Sequence, residues 1–205
     1  MTETRPKRGR PVSIDTAAAL AAMVEQFRDK GFAAVSLDDL SEATGLSRPS
    51  LYRAFGDKLS MYLSATDAFA TEVGETAIPA LQAPGDLATA LASFFDEMLA
   101  IYFRDESVAP GCLVFGTAPC SANHGAIKER LKTGLDGLQF RMRTRILASA
   151  PHVTEMTLLT AIELATNTLV AFSARAKSGA SKADLQDMGR RCAQAIVHLL
   201  DADAL

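Results

Sequence analysis

Residues 36–58 read Ser-Leu-Asp-Asp-Leu-Ser-Glu-Ala-Thr-Gly-Leu-Ser-Arg-Pro-Ser-Leu-Tyr-Arg-Ala-Phe-Gly-Asp-Lys. Ser36 followed three positions later by Asp39 is a capping-box pattern with Asp in place of Glu, so a helix starts at Leu37 and runs to about Thr44. Gly45 supplies a turn, and Leu46 plugs the space between two helices. Ser47 opens a second helix with Pro49 in its first turn, where a missing N–H costs little. That helix ends near Ala54-Phe55-Gly56, and Asp57 caps the next one at Lys58.

Two short helices around a glycine turn suit DNA reading. The first braces the second, so that the second can lie in the major groove with its leading residues against base edges. In the second helix Leu51 and Phe55 are four apart and face the core, which turns Arg48, Ser50 and Arg53 outward. Arg can make two hydrogen bonds to a guanine edge, and Ser can serve several bases. The Tyr52 hydroxyl suits a phosphate, a contact that orients without reading sequence. Lys58 adds charge to the free amides of a helix start. Each residue also has a plainer reading: Arg48 paired with an acid, Tyr52 a core aromatic with a wet hydroxyl, Lys58 a solvated surface side chain.

Ahead of this stretch, Ala17, Leu20, Ala21, Val24 and Phe27 follow helical spacing and predict a helix from Ile14 to Lys30, with Ser13 as its cap and Gly31 as its stop. Residues 1–12 form a basic arm containing Arg5, Lys7, Arg8 and Arg10. The whole chain carries a net charge of −3, yet residues 1–60 are net +1 and the remainder −4. An acidic body limits indiscriminate sticking to DNA, and the arm concentrates positive charge where DNA is read. A disordered solubilising tail is the other reading of the arm.

No strand pattern persists, and Ala and Leu are plentiful while Trp is absent, so the chain is expected to be all-α with about nine helices. Beyond a helix from Lys58 towards Ala77, breaks at Pro79, Pro84 and Gly85 precede a helix over about 86–103. A short segment at 112–118 and helices over about 126–148, 155–176 and 182–200 follow. The domains are then an arm at 1–12, a helix-turn-helix head at 13–58 and a larger helical body at 59–205. Phe94, Phe95, Met98, Tyr102, Cys112, Leu113, Phe115, Leu138 and Met142 are candidate walls of a ligand pocket, though an apolar stripe also serves as plain core. The helix over 155–176 is apolar on more than one face and should be buried on two sides.

Enzymatic patterns are missing: there is no phosphate-cradling glycine loop, no HExxH and no GxSxG. Asp38 and Asp39 are consecutive on a helix and point in different directions. Cys112, Cys120 and Cys192 make no disulfide framework, and reduced thiols are expected. Cys112 and Cys120 flank a loop and raise thiol or metal sensing, but His124, His152 and His198 show no tight ligand spacing with them, so no metal and no cofactor is expected. With neither a secretory signal nor an apolar run of about 20 residues, the expected compartment is the cytoplasm, with no membrane partner.

The run Gly31-Phe32, Val35-Ser-Leu-Asp-Asp-Leu40, Thr44-Gly-Leu-Ser-Arg-Pro-Ser-Leu-Tyr52 and Phe55-Gly-Asp-Lys58 resembles the head of the TetR family of repressors. The Leu-Tyr pair, the aromatic three residues on and the Lys three after that make the likeness more specific than a bare helix-turn-helix. The resemblance implies a homodimeric repressor that reads a palindromic double-stranded operator and is released by a small-molecule effector. It also implies that Arg48, Pro49 and Ser50 touch bases, that Ser36, Tyr52 and Lys58 touch phosphates, and that Ser47 and Arg53 join the DNA face. Arg8 and Arg10 resemble minor-groove arms of relatives. The last two helices then pair with their copies as a four-helix bundle through Leu158, Ile162, Leu169, Leu185, Met188, Ile196 and Leu199; closing the monomer core is their other use. An architectural DNA-bridging protein would use the same head without an effector.

Overall fold

The computed structural model describes residues 15–104, 111–121 and 123–203. Arg8, Arg10 and the Ser13 cap lie outside them. Helix α1 (Thr16–Ala34) is capped by Asp15, whose carboxylate accepts the Ala18 N–H at 3.0 Å. Its buried face is Ala19, Met23, Val24 and Phe27. Ala17 and Ala21, assigned to that face from their spacing, point to solvent instead, and Leu20 is half-buried. Gly31 does interrupt the helix, with φ at +76°, a conformation that favours glycine. One further turn follows it to Ala34.

Helix α2 (Leu37–Thr44) begins with the anticipated capping box: Asp39 N–H donates to Ser36 Oγ at 3.1 Å, and Ser36 N–H to Asp39 at 2.7 Å. Lys30 also reaches Asp39, at 2.6 Å. These contacts, Lys30 first and then the Ser36 hydroxyl and amide, hold the Asp39 carboxyl well below the usual carboxylate range. A carboxylate so depressed contributes stability above its unfolded pKa of about 4, and that contribution is lost as pH falls toward the folded value. Acidification below about pH 4 is therefore expected to loosen the head. Asp39→Asn should be less stable near neutrality and show a flatter acid slope, measured by circular-dichroism melts across that range; parallel slopes for the two proteins would contradict this.

Gly45 ends α2 in the left-handed region, and α3 (Arg48–Phe55) follows with Pro49 in its first turn. Ser47 occupies the cap position, but its hydroxyl bonds Ser50 Oγ at 3.1 Å rather than a backbone amide. Helix α4 (Lys58–Gln82), capped by Asp57, joins the head to the body. It does not stop near Ala77. Pro79 sits inside it, on an exposed position one turn before the end, where the carbonyl that loses its partner belongs to exposed Glu75 and can bond water.

The body consists of α5 (Leu87–Tyr102), α6 (Leu113–Thr117), a 3₁₀ turn (Pro119–Ser121), α7 (Gly125–Ser149), α8 (Glu155–Lys177) and α9 (Lys182–Asp203). The described residues contain no strand, so the all-α expectation holds. Helix α5 is central, packed on α4, α8 and α9. Phe95 stacks edge-on to Phe172, and Gly189 lets α9 approach both; a Cβ there would meet them at 3.1 Å. By length and composition α8 could cross a membrane, although no such run was expected, but half of its most apolar stretch is buried inside this protein. Core helices have the same character.

Candidate nucleic-acid interface and effector cavity

The head's reading surface is built on Leu51, which is fully buried and anchors α3, with Phe55 half-buried beside it. On the opposite side Arg48, Pro49, Tyr52 and Arg53 are exposed, Tyr52 by 48 %, and Ser50 is half-buried. The structure thus brings these five onto one outward face. Arg48 is held by Asp38 of α2 (Nε to Oδ1, 2.7 Å), with both groups largely exposed. An exposed pair is worth about 0–1 kcal/mol, so Arg48 can leave it at little cost. Lys58 lies over the Phe32 ring at 4.9 Å and donates to the Ala33 carbonyl at 3.4 Å, with burial lowering its pKa. Ser36 is occupied in the capping box but remains exposed at the start of α2.

Sequence reasoning did not find the joint between head and body. Arg28 of α1 is 1 % exposed. Its guanidinium donates to the carbonyls of Gly111 (3.1 Å), Tyr102 (2.8 Å) and Ile101 (3.3 Å) and to Glu25 (2.6 Å). Burial pushes its pKa down, opposed by Glu25. Lys177 of α8 donates to the Arg28 carbonyl at 2.7 Å. Nearby, the Tyr62 hydroxyl of α4 meets Thr117 of α6 at 2.9 Å, and the Tyr62 ring packs on Phe27 and Phe32. The only prior signal for this joint was an Arg on an apolar helix face.

Next to that joint, a cavity of about 260 Å³ opens between α4, α5, α6, α7 and α8. Of the residues proposed as walls, Phe94, Met98, Cys112, Phe115 and Leu138 line it. Phe95, Tyr102, Leu113 and Met142 do not, being buried in the surrounding core. Phe69, Ala70, Val73 and Ile78 of α4, Val114 of α6 and Leu169 of α8 complete the apolar lining. The Cys112 thiol is buried, accepts the Phe115 N–H at 3.3 Å, and has its pKa raised by that burial. Cys120 is exposed and His124 stacks on Phe32, so the proposed sensor set is not assembled; no metal-holding cluster of three such groups occurs among the described residues.

Five of the seven residues read as a dimer face are spent within one chain. Leu158, Ile162, Leu169, Leu185 and Ile196 are buried in the core, while Met188 and Leu199 are half-buried. A helix apolar on two faces does not declare which face its own chain covers. The open apolar side chains on α8 are Met156, Leu159, Leu164 and Val170, 41–79 % exposed, with Phe140 of α7 beside them at 70 %.

The family model for bacterial regulatory proteins of the tetR family matches residues 19–65, the head just described. The HTH-type transcriptional regulator YezE of Bacillus subtilis is 32 % identical over 110 residues, 54 % of this chain and 56 % of that protein. The HTH-type transcriptional repressor ComR of Escherichia coli is 30 % identical over 131 residues, 63 % of this chain and 62 % of its own. The chain thus spans about three-fifths of these relatives' length. In fold the likeness is longer. A cysteine mutant of the TetR-family regulator CifR, solved with a 26-base-pair operator, superposes with a TM-score of 0.79 at 23 % identity, covering 91 % of this chain and 99 % of its own. A TetR regulator of Chloroflexus aurantiacus gives 0.72 at 22 % identity, covering 87 % and 92 %. The head thus matches the tetR family model in sequence, and the described chain shares the fold of TetR-family regulators.

Proposed function

We propose that this protein is a transcriptional repressor working as a homodimer in the cytoplasm, bound to a palindromic operator until a small molecule enters the body. The observation that carries the reading is the outward face of α3, a helix held from behind by Leu51 with Arg48, Tyr52 and Arg53 clear of the protein. Two such helices in a dimer would enter major grooves about 34–36 Å apart on one side of the duplex. The name of ComR supports repression, and the operator bound to CifR supports a duplex partner. The cavity beside the Arg28 joint supplies a place for an effector. The effector releases DNA only if it binds the DNA-incompetent conformer more tightly.

Selection of bound duplexes from a random pool tests the reading, with a two-fold symmetric site as the expected product. Sequence-indifferent binding would favour the architectural alternative and overturn this one. On the selected site, Arg48→Ala should cost roughly 1–3 kcal/mol and relax one base position. Lys58→Ala should weaken all sequences alike and flatten the salt dependence by about one unit. Fluorescence anisotropy across salt and single-base variants separates the two. A uniform loss from Arg48→Ala would remove it from base reading.

A further inference from the structure

We infer that the cavity's ligand is a small apolar carboxylate, its tail lying along the glycine face of α7 and its charged end on Arg141; this rests on the effector reading above. One face of α7 forms a wall: Arg130, Thr133, Gly134, Gly137, Leu138 and Arg141 recur at helical spacing along it. The lining includes these two arginines and no carboxylate. Arg130 is already engaged by Asp67 at 2.6 Å, whereas Arg141 makes no ion pair among the described residues. A guanidinium matches a carboxylate with two parallel hydrogen bonds.

The glycines supply a second, independent observation. Gly134 and Gly137 lie inside α7 and Gly74 inside α4, all three on the cavity. Helix-interior glycine is the poorest choice after proline. Close packing would justify it, as at Gly189. Here a Cβ would meet nothing within 4 Å at Gly74 and Gly137, and only Val114, at 3.9 Å, at Gly134. No protein atom fills the room beside these exposed glycines, which leaves it open to a guest. A volume of about 260 Å³ falls just below the range of drug-sized pockets, which sets the guest at about ten non-hydrogen atoms.

Octanoate, 1-octanol and octylamine share a tail and differ in charge, and calorimetry measures the binding of each to the full-length protein. Octanoate should bind most tightly, and Arg141→Gln should weaken it by about ten- to a hundredfold while leaving octanol unchanged. Gly137→Leu should abolish octanoate binding yet keep operator affinity, and Gly137→Ala should raise Tm by about 2–4 °C. Octanol or octylamine binding as tightly as octanoate would overturn the charge assignment, as would an Arg141→Gln protein that binds octanoate normally. Undiminished octanoate binding by Gly137→Leu would overturn the location. Operator affinity measured without ligand is a separate arm. Its absence would refute the regulator reading, whereas octanoate binding that leaves the operator bound would refute only the effector role.

Discussion

Replacing Arg28 by Met is expected to destabilise the protein by roughly 3–5 kcal/mol, the scale for breaking a buried charged network from one side. The methionine fills a similar space, so the loss is not chiefly a void. It comes chiefly from the carbonyls of Gly111 and Ile101, which lose their donor in a site closed to water, while the Tyr102 carbonyl keeps the Gly111 N–H. Glu25 keeps Arg104 as a partner and is less affected. For a chain of this size the loss corresponds to a fall in Tm of about 6–20 °C. Arg28→Lys should recover part of it, since an ammonium can serve some of those carbonyls but not with a fork of donors. A Met variant that melts within about 2 °C of the wild type would show that the guanidinium is not what joins head to body.

The second large effect concerns the face of α8 that the chain leaves open. Leu159→Glu combined with Val170→Glu should give a monomer in light scattering, with its fold intact by circular dichroism. Both side chains are more than 40 % exposed, so neither change buries a charge within one chain. Across a two-fold interface each glutamate would be desolvated or meet its own copy. A single head holds one half-site without the gain from linkage, so operator affinity should fall by about 10²–10⁴. A double variant that stays dimeric would place the interface elsewhere.

Those two cases mark where the sequence could be read and where it could not. The head was legible because its signals are local. Ser36 and Asp39 lie three apart, Gly45 makes its own turn, and Asp57 caps the helix beginning one residue later. The joint at Arg28 was not legible, because its carbonyl partners lie 73 to 83 residues away and carbonyls carry no residue identity. The apolar double face of α8 implied burial on two sides, and within the described chain only one of those faces is covered. Only the packing of α5, α7 and α9 against it decides that Leu158, Ile162 and Leu169 face inward while Leu159 and Val170 do not. Pro79 was misleading for a different reason: a proline in an exposed last turn costs too little to stop a helix. The cavity was half legible, since periodicity finds aromatic residues such as Phe94 and Phe115 but gives no sign that a gap lies between them.

Helix α4 also sets a mechanical scale. Its first residue, Lys58, sits beside the reading head, and Ile78, twenty positions on, touches the cavity. That is about 30 Å of helix. A tilt of only about 5° around the cavity end would swing the head end by about 2.6 Å over that length. Base-edge hydrogen bonds do not survive a displacement of that size. If the protein is the effector-gated dimer proposed above, a guest of about ten atoms would have no need to unfold or repack the head: a few degrees of tilt in one stiff rod, repeated in each half of a pair, would put both reading helices out of register with the duplex.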